Sequence, residues 1–494
     1  MRYKKVMSGI GAVLLVYPVT FLLPIITGVI YAESLTSLFI IFVLPALFSL
    51  VLGGLFIAFG GWRLKKELEL RPYEALIVVA LTWVLIALIG AFPYTLNGVL
   101  PNYVDSFFES MSGFTTTGAS VISEIDGLEH SILIWRAFTQ WLGGLGVIVL
   151  MVALFSVLMG GPKAGMMLMK GEVPGHSSGR IVHRIKDTAK ILWLIYGFLT
   201  ILEVILLSAL GLTVYDALAH TFTTLSTGGY GTHTASIAYW RDYSTAPLIE
   251  WVFIIFMFMG GVNFVLHYNF VVKGIRSYLK DMEFRVYSLV LLGFISIITL
   301  SLVLDQGHTL GGSLRDSIFT VVSIQTTTGY VTADYDTWPA LSRFAVLMAM
   351  FAGGMTGSTG GGIKIARFVI TGKVLSRSIK RIGHPRAHLP IRIGGVVFNE
   401  NIVRGVALFI FGYIAIFLVS VFLISLVGLD FISSVSAVAA TLGNVGPGLG
   451  AVGPKCNYAE VNIFGKVILT ILMWIGRLEI ITCFALFLPS NWKK

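Results

Sequence analysis

Four segments of the chain repeat one pattern, and this repetition limits the possible folds more than any other feature of the sequence. Each segment begins with Asp or Ser and reaches a glycine thirteen positions later. Asp and Ser favour helix starts, where their oxygens accept hydrogen bonds from free N–H groups, and the Thr-, Gly- and Asn-rich ends favour irregular backbone. The pattern predicts four short helices, each followed by an extended loop. The segments DSFFESMSGFTTTGAS, DALAHTFTTLSTGGYG, DSIFTVVSIQTTTGYV and SSVSAVAATLGNVGPG pair Asp105 with Gly118, Asp216 with Gly229, Asp316 with Gly329 and Ser433 with Gly446.

Each segment precedes a longer apolar stretch that has a second shared mark. These stretches contain QWLGGLG, MFMGGVN, MFAGGMT and MWIGRLE, which align Gly143, Gly260, Gly353 and Gly476. The fourth copy has Arg477 where the other three have a second glycine. The repeated unit is therefore a spanning helix, a half-helix, an extended loop and another spanning helix. A single copy would suit helix packing by small residues, whereas four copies in phase favour a functional repeat.

The composition places most of the chain in a membrane. Of its 494 residues, 56% are hydrophobic and 12% are charged, and the charged share is about half of the roughly 25% that soluble domains contain. Stretches long enough to span a bilayer occur near 6–31, 36–61, 73–95, 132–160, 188–212, 247–272, 284–304, 342–370, 402–428 and 462–490. Ten spans would place both termini on the same side.

Basic residues are concentrated in one set of loops, which predicts that both termini are cytoplasmic. Their confinement to short loops between apolar stretches argues against nucleic-acid binding, and the first apolar run is expected to be a retained anchor helix. The basic set contains Arg2, Lys4, Lys5, Arg63, Lys65, Lys66, Arg71, Lys163, Lys170, Arg180, Arg184, Lys186, Lys190, Lys273, Arg276, Lys280, Arg285, the group from Lys364 to Arg404, Lys493 and Lys494. The opposite loops and adjoining helix starts contain Arg136, Arg241, Arg315, Arg343, Lys455 and Lys466.

These patterns predict an all-α polytopic membrane protein, with four pseudo-symmetric channel-like repeats around one pore and two extra N-terminal helices. Four extended loops around an axis can present carbonyls that replace the hydration shell of a cation, and the carboxyl ends of the short helices add negative dipoles. Glycine at the shared position permits backbone angles that aim a carbonyl at the axis. The predicted boundaries are 1–70 for the two extra helices and 71–165, 166–275, 276–395 and 396–494 for the repeats.

Two other classes of function compete with a pore. An alternating-access cation symporter also has broken helices at the membrane midplane, but it is built from two related halves. A membrane enzyme needs His, Asp or Glu at mechanistic spacing, which we do not find. Cys456 lies in a polar stretch and Cys483 in an apolar one, so neither a disulfide nor a thiol-bound metal cluster is expected. We expect no enzymatic activity and no organic cofactor in this chain.

The four loops TTTGAS, STGGYG, TTTGYV and GNVGPG resemble the filter sequences of the TrkH/TrkG members of the Trk/Ktr/HKT superfamily of potassium transporters. The resemblance extends over the whole chain and includes two N-terminal helices that KtrB lacks. It implies potassium-selective uptake across the bacterial inner membrane through a gated, channel-like pore. The carbonyls that it implies for potassium binding belong to Thr116, Thr117, Gly118, Thr227, Gly228, Gly229, Thr327, Thr328, Gly329, Asn444, Val445 and Gly446.

Two of these loops carry further implications. Some sodium-permeable plant relatives have serine at the position of Gly118, so glycine there implies preference for potassium. The fourth loop departs most from the others, because Asn444 and Val445 replace threonine.

A glycine-rich run, GGMTGSTGGG from Gly353 to Gly362, interrupts a predicted spanning stretch. Glycine costs a helix about 1 kcal/mol relative to alanine, and broken backbone at membrane depth is tolerated where it lines a cavity. The resemblance implies a flexible loop that gates the pore below the filter. The alternatives are close helix packing and a phosphate-binding loop, which lacks its Gly-Lys-Ser/Thr ending and preceding strand here. The predicted gate residues are Gly353, Gly354, Gly357, Gly360, Gly361, Gly362 and Arg477.

Several ionisable residues lie within apolar stretches. Arg477 should face the protein interior, and Glu479 is a poor helical partner for it, since residues two positions apart point in different directions. The resemblance implies that Arg477 projects into the pore and restrains cation leak; the alternative is an ion pair with another helix. We expect Glu203 to make a structural hydrogen bond rather than to relay protons. Three histidines without metal-like spacing are expected to be structural or interfacial: His220, His233 and His267.

The basic loop from Lys364 to Arg404 is a candidate docking surface, although the usual cytoplasmic charge bias also explains it. The resemblance implies a cytosolic TrkA-like ring of RCK domains that bind NAD and ATP or ADP, and a homodimer with one pore in each subunit. Because this chain has no nucleotide motif, any nucleotide dependence is expected in that partner. Potassium is expected as the transported substrate.

Overall fold

The computed structural model describes residues 2–61, 70–158, 181–384, 386–387, 389–393, 396–480 and 482–483. Several predicted features therefore lie outside the described residues. They are the ends of the stretches 132–160 and 462–490 and the basic residues Arg63, Lys65, Lys66, Lys163, Lys170, Arg180, Lys493 and Lys494.

The described chain is built almost entirely from helices. The first half contains α1 (Tyr3–Val16), α2 (Leu22–Ile30), α3 (Leu35–Leu38), α4 (Leu44–Gly60), α5 (Pro72–Asn97), α6 (Tyr103–Phe114), α7 (His130–Leu158), α8 (Ile181–Ala209) and α9 (Val214–Leu225). The second half contains α10 (Ala246–Gly261), α11 (Phe264–Lys273), α12 (Arg276–Lys280), α13 (Met282–Gln306), α14 (Leu310–Gln325), α15 (Ala340–Phe351), α16 (Ile365–Gly383), α17 (Glu400–Leu426), α18 (Phe431–Leu442) and α19 (Ile463–Leu478). A small antiparallel hairpin pairs β1 (Arg392–Ile393) with β2 (Val396–Val397).

Six helical stretches within the described residues are long and apolar enough to cross a membrane. They are Tyr3–Ile30, Leu35–Gly60, Tyr73–Asn97, Ala189–Ala209, Met282–Asp305 and Glu400–Leu426. Large apolar side chains such as Phe59, Leu304 and Phe411 are exposed on them. A chain with so much outward-facing apolar surface is typical of a lipid-embedded protein.

In two of the predicted spanning stretches, non-helical backbone separates two helices. In 247–272, α10 and α11 meet at an angle of 101°, where Val262 is extended and the Asn263 side chain caps α11 by accepting from the Val265 N–H. In 342–370, α15 ends at Phe351 and α16 begins at Ile365. The second break falls on the glycine-rich run, which the sequence predicted to be broken.

The short helices α6, α9, α14 and α18 exist, but their predicted first residues were wrong. The residues that cap them are Asn102, Thr213, Thr309 and Asp430. Asp105, Asp216 and Ser433 each lie three positions after the cap, and Asp316 lies further inside α14. The physical reason is visible at Thr213, whose hydroxyl accepts from the Asp216 N–H at 3.0 Å and donates to the Asp216 carboxylate at 2.7 Å. The capping residue and the acidic residue three positions later bond to each other. The sequence motif identified the acidic residue and not the cap.

The six basic residues predicted for the less basic side all contact carboxylates. The ion pairs are Arg136–Glu109, Arg241–Glu250, Arg241–Asp316, Arg315–Glu250, Arg343–Asp336, Lys455–Asp334 and Lys466–Asp105. Two of the repeated aspartates, Asp105 and Asp316, thus hold basic side chains from other parts of the chain.

Candidate functional site

The four glycine loops, defined as residues 116–118, 227–229, 327–329 and 444–446, share one unusual backbone conformation. Their first and third residues have positive φ angles, whereas the middle residue does not. The angles are 50° at Thr116, 54° at Thr227, 63° at Thr327 and 54° at Asn444, then 80° at Gly118, 76° at Gly229, 81° at Gly329 and 103° at Gly446. Positive φ is uncommon for residues other than glycine, so its recurrence at one position in all four loops marks a conformation held by the surrounding structure.

The four glycine loops lie against one another in a closed ring. A Cβ atom on Gly118 would collide with the carbonyl oxygen of Gly228. The same collision joins Gly229 to the Thr328 carbonyl and Gly329 to the Val445 carbonyl. A Cβ atom on Gly446 would contact the Thr117 carbonyl. Because Thr117 belongs to the first loop, this contact closes the ring. Glycine is required at this position for two reasons: the φ angle is positive, and a neighbouring carbonyl approaches closely.

The middle N–H group of each glycine loop is bonded to the short helix that precedes the loop. In each loop the middle N–H donates to the carbonyl five residues earlier, over 2.7–2.9 Å. These bonds are Thr117 to Ser112, Gly228 to Thr223, Thr328 to Ser323 and Val445 to Ala440. These four N–H donors therefore face the short helices and not the ring.

The carbonyl oxygens of the loops are largely without partners. The Gly228 carbonyl accepts from the Gln140 side chain at 2.8 Å, and the Gly446 carbonyl accepts from the Tyr458 hydroxyl at 2.8 Å. Within the described residues, the other ten carbonyls of the four loops accept no hydrogen bond. Buried backbone carbonyls are almost always paired, and a ring of free carbonyl oxygens can coordinate a cation.

Asn444 occupies the threonine position of the fourth loop and has a different set of contacts. Its Nδ2 donates to the Thr117 hydroxyl at 3.0 Å and to the Met473 carbonyl at 2.9 Å. In the first loop the Thr115 and Thr117 hydroxyls are 2.7 Å apart, and in the third loop the Thr326 and Thr328 hydroxyls are 2.8 Å apart. The side chain of Asn444 thus joins the fourth loop to the first.

The chain between α15 and α16, residues 352–364, lies against the ends of the short helices and is called the crossing segment. Its two ends are held together, because Gly353 N donates to the Ile363 carbonyl and Ile363 N donates to the Phe351 carbonyl, each at 3.2 Å. Thr359 reaches the ends of α9 and α10, where its hydroxyl lies 2.8 Å from the Leu225 carbonyl and 2.9 Å from the Gly260 carbonyl. The segment therefore lies on the side where the chain enters the glycine loops.

The six glycines predicted for the gate all lie in the crossing segment, and most face neighbouring backbone. A Cβ atom on Gly361 would collide with the Gly443 carbonyl, and one on Gly360 would press on the Thr326 carbonyl. Gly353 is packed against Gly361 and Gly362. Gly354 approaches Gly261, and Gly357 and Gly362 have positive φ angles. Larger residues would not fit without moving the segment.

Arg477 is buried and makes no ion pair with any described carboxylate. Its Nη1 donates to the Thr359 carbonyl at 2.6 Å, and its Nη2 lies 3.4 Å from the Gly143 carbonyl. Glu479 forms an ion pair with Arg367 at 2.6 Å. The Arg367 guanidinium also lies 3.7 Å from the centre of the Phe409 ring. The guanidinium of Arg477 therefore joins α7 to the crossing segment.

Two residues that the sequence analysis did not single out for the gate hold the crossing segment. The Glu283 carboxylate accepts from the Thr356 N–H at 2.7 Å and from the Ala366 N–H at 3.1 Å. Lys364, which is buried, donates from Nζ to the Gly360 carbonyl. Glu283 thereby links the segment to the first turn of α16. The distance of 73 residues between Glu283 and Thr356 left no local sequence signal for this contact.

The remaining ionisable candidates have mixed outcomes. The Thr224 side chain lies beside the Glu203 carboxylate, but the Thr224 hydroxyl is directed to the His220 carbonyl at 2.7 Å. His220 contacts Tyr330 and Thr232, each at 3.2 Å, and His267 contacts Tyr278 at 2.6 Å. No group of His, Cys, Asp and Glu among the described residues could hold a metal ion, and both cysteines are free thiols.

A contact between Asp126 and the residues His233 and Thr234 lowers the pKa of the Asp126 carboxyl. His233 lies 3.0 Å from Asp126, and the Thr234 N–H donates to Asp126 at 3.1 Å. Partial burial opposes ionisation of Asp126, but hydrogen bonds from Thr234 and His233 outweigh it and hold the pKa of this carboxyl below its ordinary value.

Fold and site define a multi-pass helical membrane protein that contains a ring of mostly unpaired backbone carbonyls. The family model TrkH, described as cation transport protein, matches residues 52–494, and the chain belongs to this family. It is 35% identical to the Trk system potassium uptake protein TrkH of Salmonella typhimurium, with 100% of both chains covered. It is 33% identical to the Trk system potassium uptake protein TrkG of Escherichia coli, over 98% of this chain and 97% of that protein.

A solved structure is similar over the same extent. The potassium transporter TrkH from Vibrio parahaemolyticus matches with a TM-score of 0.88 and 33% sequence identity, and 100% of each chain is covered. The relatives are transport proteins rather than enzymes, in agreement with the sequence prediction.

Proposed function

We propose that this chain takes up potassium across the bacterial inner membrane through one channel-like pore lined by the four glycine loops. The observation that carries the proposal is the closed ring of loops whose carbonyl oxygens are buried and mostly unpaired. Carbonyls of this kind replace the hydration shell of a monovalent cation. The names of the full-length relatives, which are potassium uptake proteins, support potassium as that cation.

The proposed pore is built from four repeats, each with a spanning helix, a short helix, a loop and a second spanning helix. The boundaries are those given by the sequence pattern, 71–165, 166–275, 276–395 and 396–494. Support comes from the four loops, whose backbone angles and hydrogen bonds repeat at equivalent positions. The twelve predicted ligands are the carbonyls of these loops, with the Gly228 and Gly446 oxygens shared with protein donors.

Electrostatics favour a cation at the ring. The helices α6, α9, α14 and α18 end at Phe114, Leu225, Gln325 and Leu442, immediately before the loops. The carboxyl end of a helix carries roughly half a negative charge, so four such ends converge on the ring. The membrane potential then drives potassium inward with about 2.3 kcal/mol per charge for each 100 mV.

The crossing segment and Arg477 form the proposed gate. The segment lies at the side where the chain enters the loops, and Arg477 adds a positive charge bonded to the segment. Cations meet both a covering backbone and a like charge at this level, which raises the barrier to their passage. Opening requires the segment to move away from Thr327, whose hydroxyl accepts from the Gly361 N–H at 2.6 Å.

Regulation is proposed to come from the cytosol. Both termini and the basic region from Lys364 to Arg404 would face the cytoplasm, where a TrkA-like ring that binds NAD and ATP or ADP could dock on a homodimer of this chain. The relatives are named as parts of a Trk system, which supports a multi-component assembly. Movement of α16 would act directly on the crossing segment, because α16 begins where the segment ends.

The proposal is tested by ion flux into liposomes that contain the purified full chain. We expect potassium flux to exceed sodium flux under the same gradient. We also expect a potassium gradient alone to drive this flux, with no proton or sodium gradient present. Equal flux of the two ions would refute potassium selectivity. Strict dependence on a proton or sodium gradient would instead favour an alternating-access symporter.

A further inference from the structure

Two tyrosines connect neighbouring repeats behind the glycine loops. Tyr230 directly follows Gly229, and its hydroxyl donates to the Glu109 carbonyl at 2.9 Å in the short helix of the first repeat. Tyr330 directly follows Gly329, and its hydroxyl donates to the His220 carbonyl at 3.0 Å in the short helix of the second repeat. Glu109 and His220 each stand nine positions before the loop glycine of their own repeat. The same contact, from a tyrosine hydroxyl to the short helix of the preceding repeat, therefore occurs twice, and we call each contact a strap.

Both tyrosines are enclosed and reach the loops themselves. Tyr230 is 3% exposed and Tyr330 is 1% exposed. The Tyr230 hydroxyl also lies 3.2 Å from the carbonyl of Ala119, the residue after Gly118, and the Arg136 guanidinium lies 4.1 Å from the centre of the Tyr230 ring. A buried hydroxyl in a low-dielectric interior has no water to replace a lost partner, so each bond fixes position strongly.

The second strap ends on the residue that holds the second loop. The hydroxyls of Tyr330 and Thr223 are 2.5 Å apart. The Thr223 carbonyl in turn accepts from the Gly228 N–H at 2.8 Å. Two hydrogen bonds, one on each side of Thr223, thus connect the Tyr330 hydroxyl to the backbone of Gly228 in the second loop.

The remaining two junctions of the ring are held differently. The residue after Gly446 is Pro447 and the residue after Gly118 is Ala119, and neither side chain carries a hydroxyl. The fourth loop is joined to the first by the Asn444 side chain, which donates to the Thr117 hydroxyl. Between the third and fourth loops, Pro447 packs beside Gly329. Tyr458 also lies at the fourth–first junction, where its hydroxyl donates to the Gly446 carbonyl at 2.8 Å and its N–H donates to the Ser120 carbonyl at 2.9 Å, but it does not follow a loop glycine. Among the described residues, the tyrosines that follow a loop glycine act at the first–second and second–third junctions.

We propose that Tyr230 and Tyr330 are positioning residues that determine ion selectivity, because their hydroxyls fix the separation of adjacent glycine loops. A sodium ion is smaller than potassium, so its carbonyl ligands must move inward to replace its hydration shell. Straps that hold each loop to the helix of the preceding repeat resist that movement. This inference rests on the proposed function, and it assigns part of the selectivity to side chains that do not touch the ion.

The test compares Tyr230→Phe, Tyr330→Phe and the double variant with the wild-type chain in liposomes. Each single substitution removes one oxygen and keeps the ring. We expect the sodium-to-potassium permeability ratio to rise roughly threefold to tenfold, the change that loss of one ordinary hydrogen bond produces if it falls on ion discrimination. The double variant should raise the ratio further, while potassium flux stays close to the wild-type value.

Tyr335→Phe is the matched control. Tyr335 is 1% exposed, like Tyr330, and its hydroxyl has no hydrogen-bond partner in the described chain, so its loss should leave the ratio unchanged. Unchanged ratios in all three strap variants would overturn the inference alone. Equal loss of both ion fluxes, or failure of the variants to assemble, would make the hydroxyls merely structural and would also overturn it. A wild-type chain without cation flux would overturn the proposed function and this inference with it.

Discussion

Arg477 donates a hydrogen bond of 2.6 Å to the carbonyl oxygen of Thr359 and thereby ties the last helix to the crossing segment. Thr359 is bonded in turn to the Leu225 and Gly260 carbonyls of the second repeat. Arg477 and Thr359 thus connect α19, the crossing segment, α9 and α10. This connection explains how a charge in α19 can hold a segment that lies far away in the sequence.

Replacement of Arg477 by glutamine should open the proposed gate. The substitution removes both the positive charge and the charged hydrogen bond, which typically contributes about 1.5–3 kcal/mol. We expect potassium flux without any regulator to rise by roughly tenfold or more. Arg477→Lys keeps the charge and should give an intermediate flux. Liposome flux in the absence of nucleotide and partner measures both variants, and a glutamine variant no faster than wild type would exclude a gating role.

Shortening the crossing segment should have the same direction of effect. A hydrogen bond between Gly353 and Ile363 already holds the two ends of the segment together. Removal of residues 357–361 should therefore shorten the segment without separating its ends. Flux without the regulator should increase, because less backbone covers the entry to the glycine loops. Measurement of basal potassium flux decides the matter, and unaltered or abolished flux in a correctly inserted variant would contradict the gate.

Glu283→Gln tests the other anchor of the crossing segment. The carboxylate accepts from Thr356 and Ala366, and a neutral amide accepts more weakly, by about 1 kcal/mol for bonds of this kind. We expect a rise of roughly fivefold in basal flux and less regulator needed for full opening. Glu124→Gln, at an exposed position, is the matched control. Equal flux in the two variants would show that Glu283 does not hold the closed state.

Gly118→Ser tests the ring of carbonyls. The serine Cβ would press on the Gly228 carbonyl at a residue that already has a positive φ angle. The distortion should weaken the preference for potassium over sodium by roughly tenfold, as expected for about 1.4 kcal/mol of lost discrimination. Gly98→Ser is a control with a similar φ angle of 86° and open space around the added atom. Reversal potentials with potassium and sodium on opposite sides give the ratio, and an unchanged ratio in Gly118→Ser would remove the first loop from the filter.

The four short helices and their loops could be predicted because their sequence pattern repeats in phase. Gly118 and its three counterparts satisfy a local backbone requirement, a positive φ angle, that leaves a direct mark on residue type. The helix starts were misplaced by three residues or more because Asn102 and Asp105 are both suitable capping residues. Only the geometry distinguishes the residue that accepts the hydrogen bond from the acidic residue that follows it.

The contacts of Glu283 with the crossing segment and of Tyr330 with α9 could not be predicted, because the partners are distant in sequence. Glu283 resembles any acidic residue near a helix start, and Tyr330 resembles any aromatic residue in a loop. Their importance comes from contacts across 83 and 110 residues, respectively. The surroundings of Glu203 were equally hidden, because Thr224, which lies beside its carboxylate, is 21 residues further along the chain and also donates to the His220 carbonyl.

The most direct measurement is an ion-dependent density map of the pore axis, recorded with rubidium as a heavy substitute for potassium and again with sodium alone. The account predicts rubidium density on the line enclosed by Gly118, Gly229, Gly329 and Gly446, within bonding distance of the loop carbonyls, and its loss in sodium. Density that lies away from the four loops, or that is the same in both salts, would contradict the assignment of these carbonyls as the potassium site.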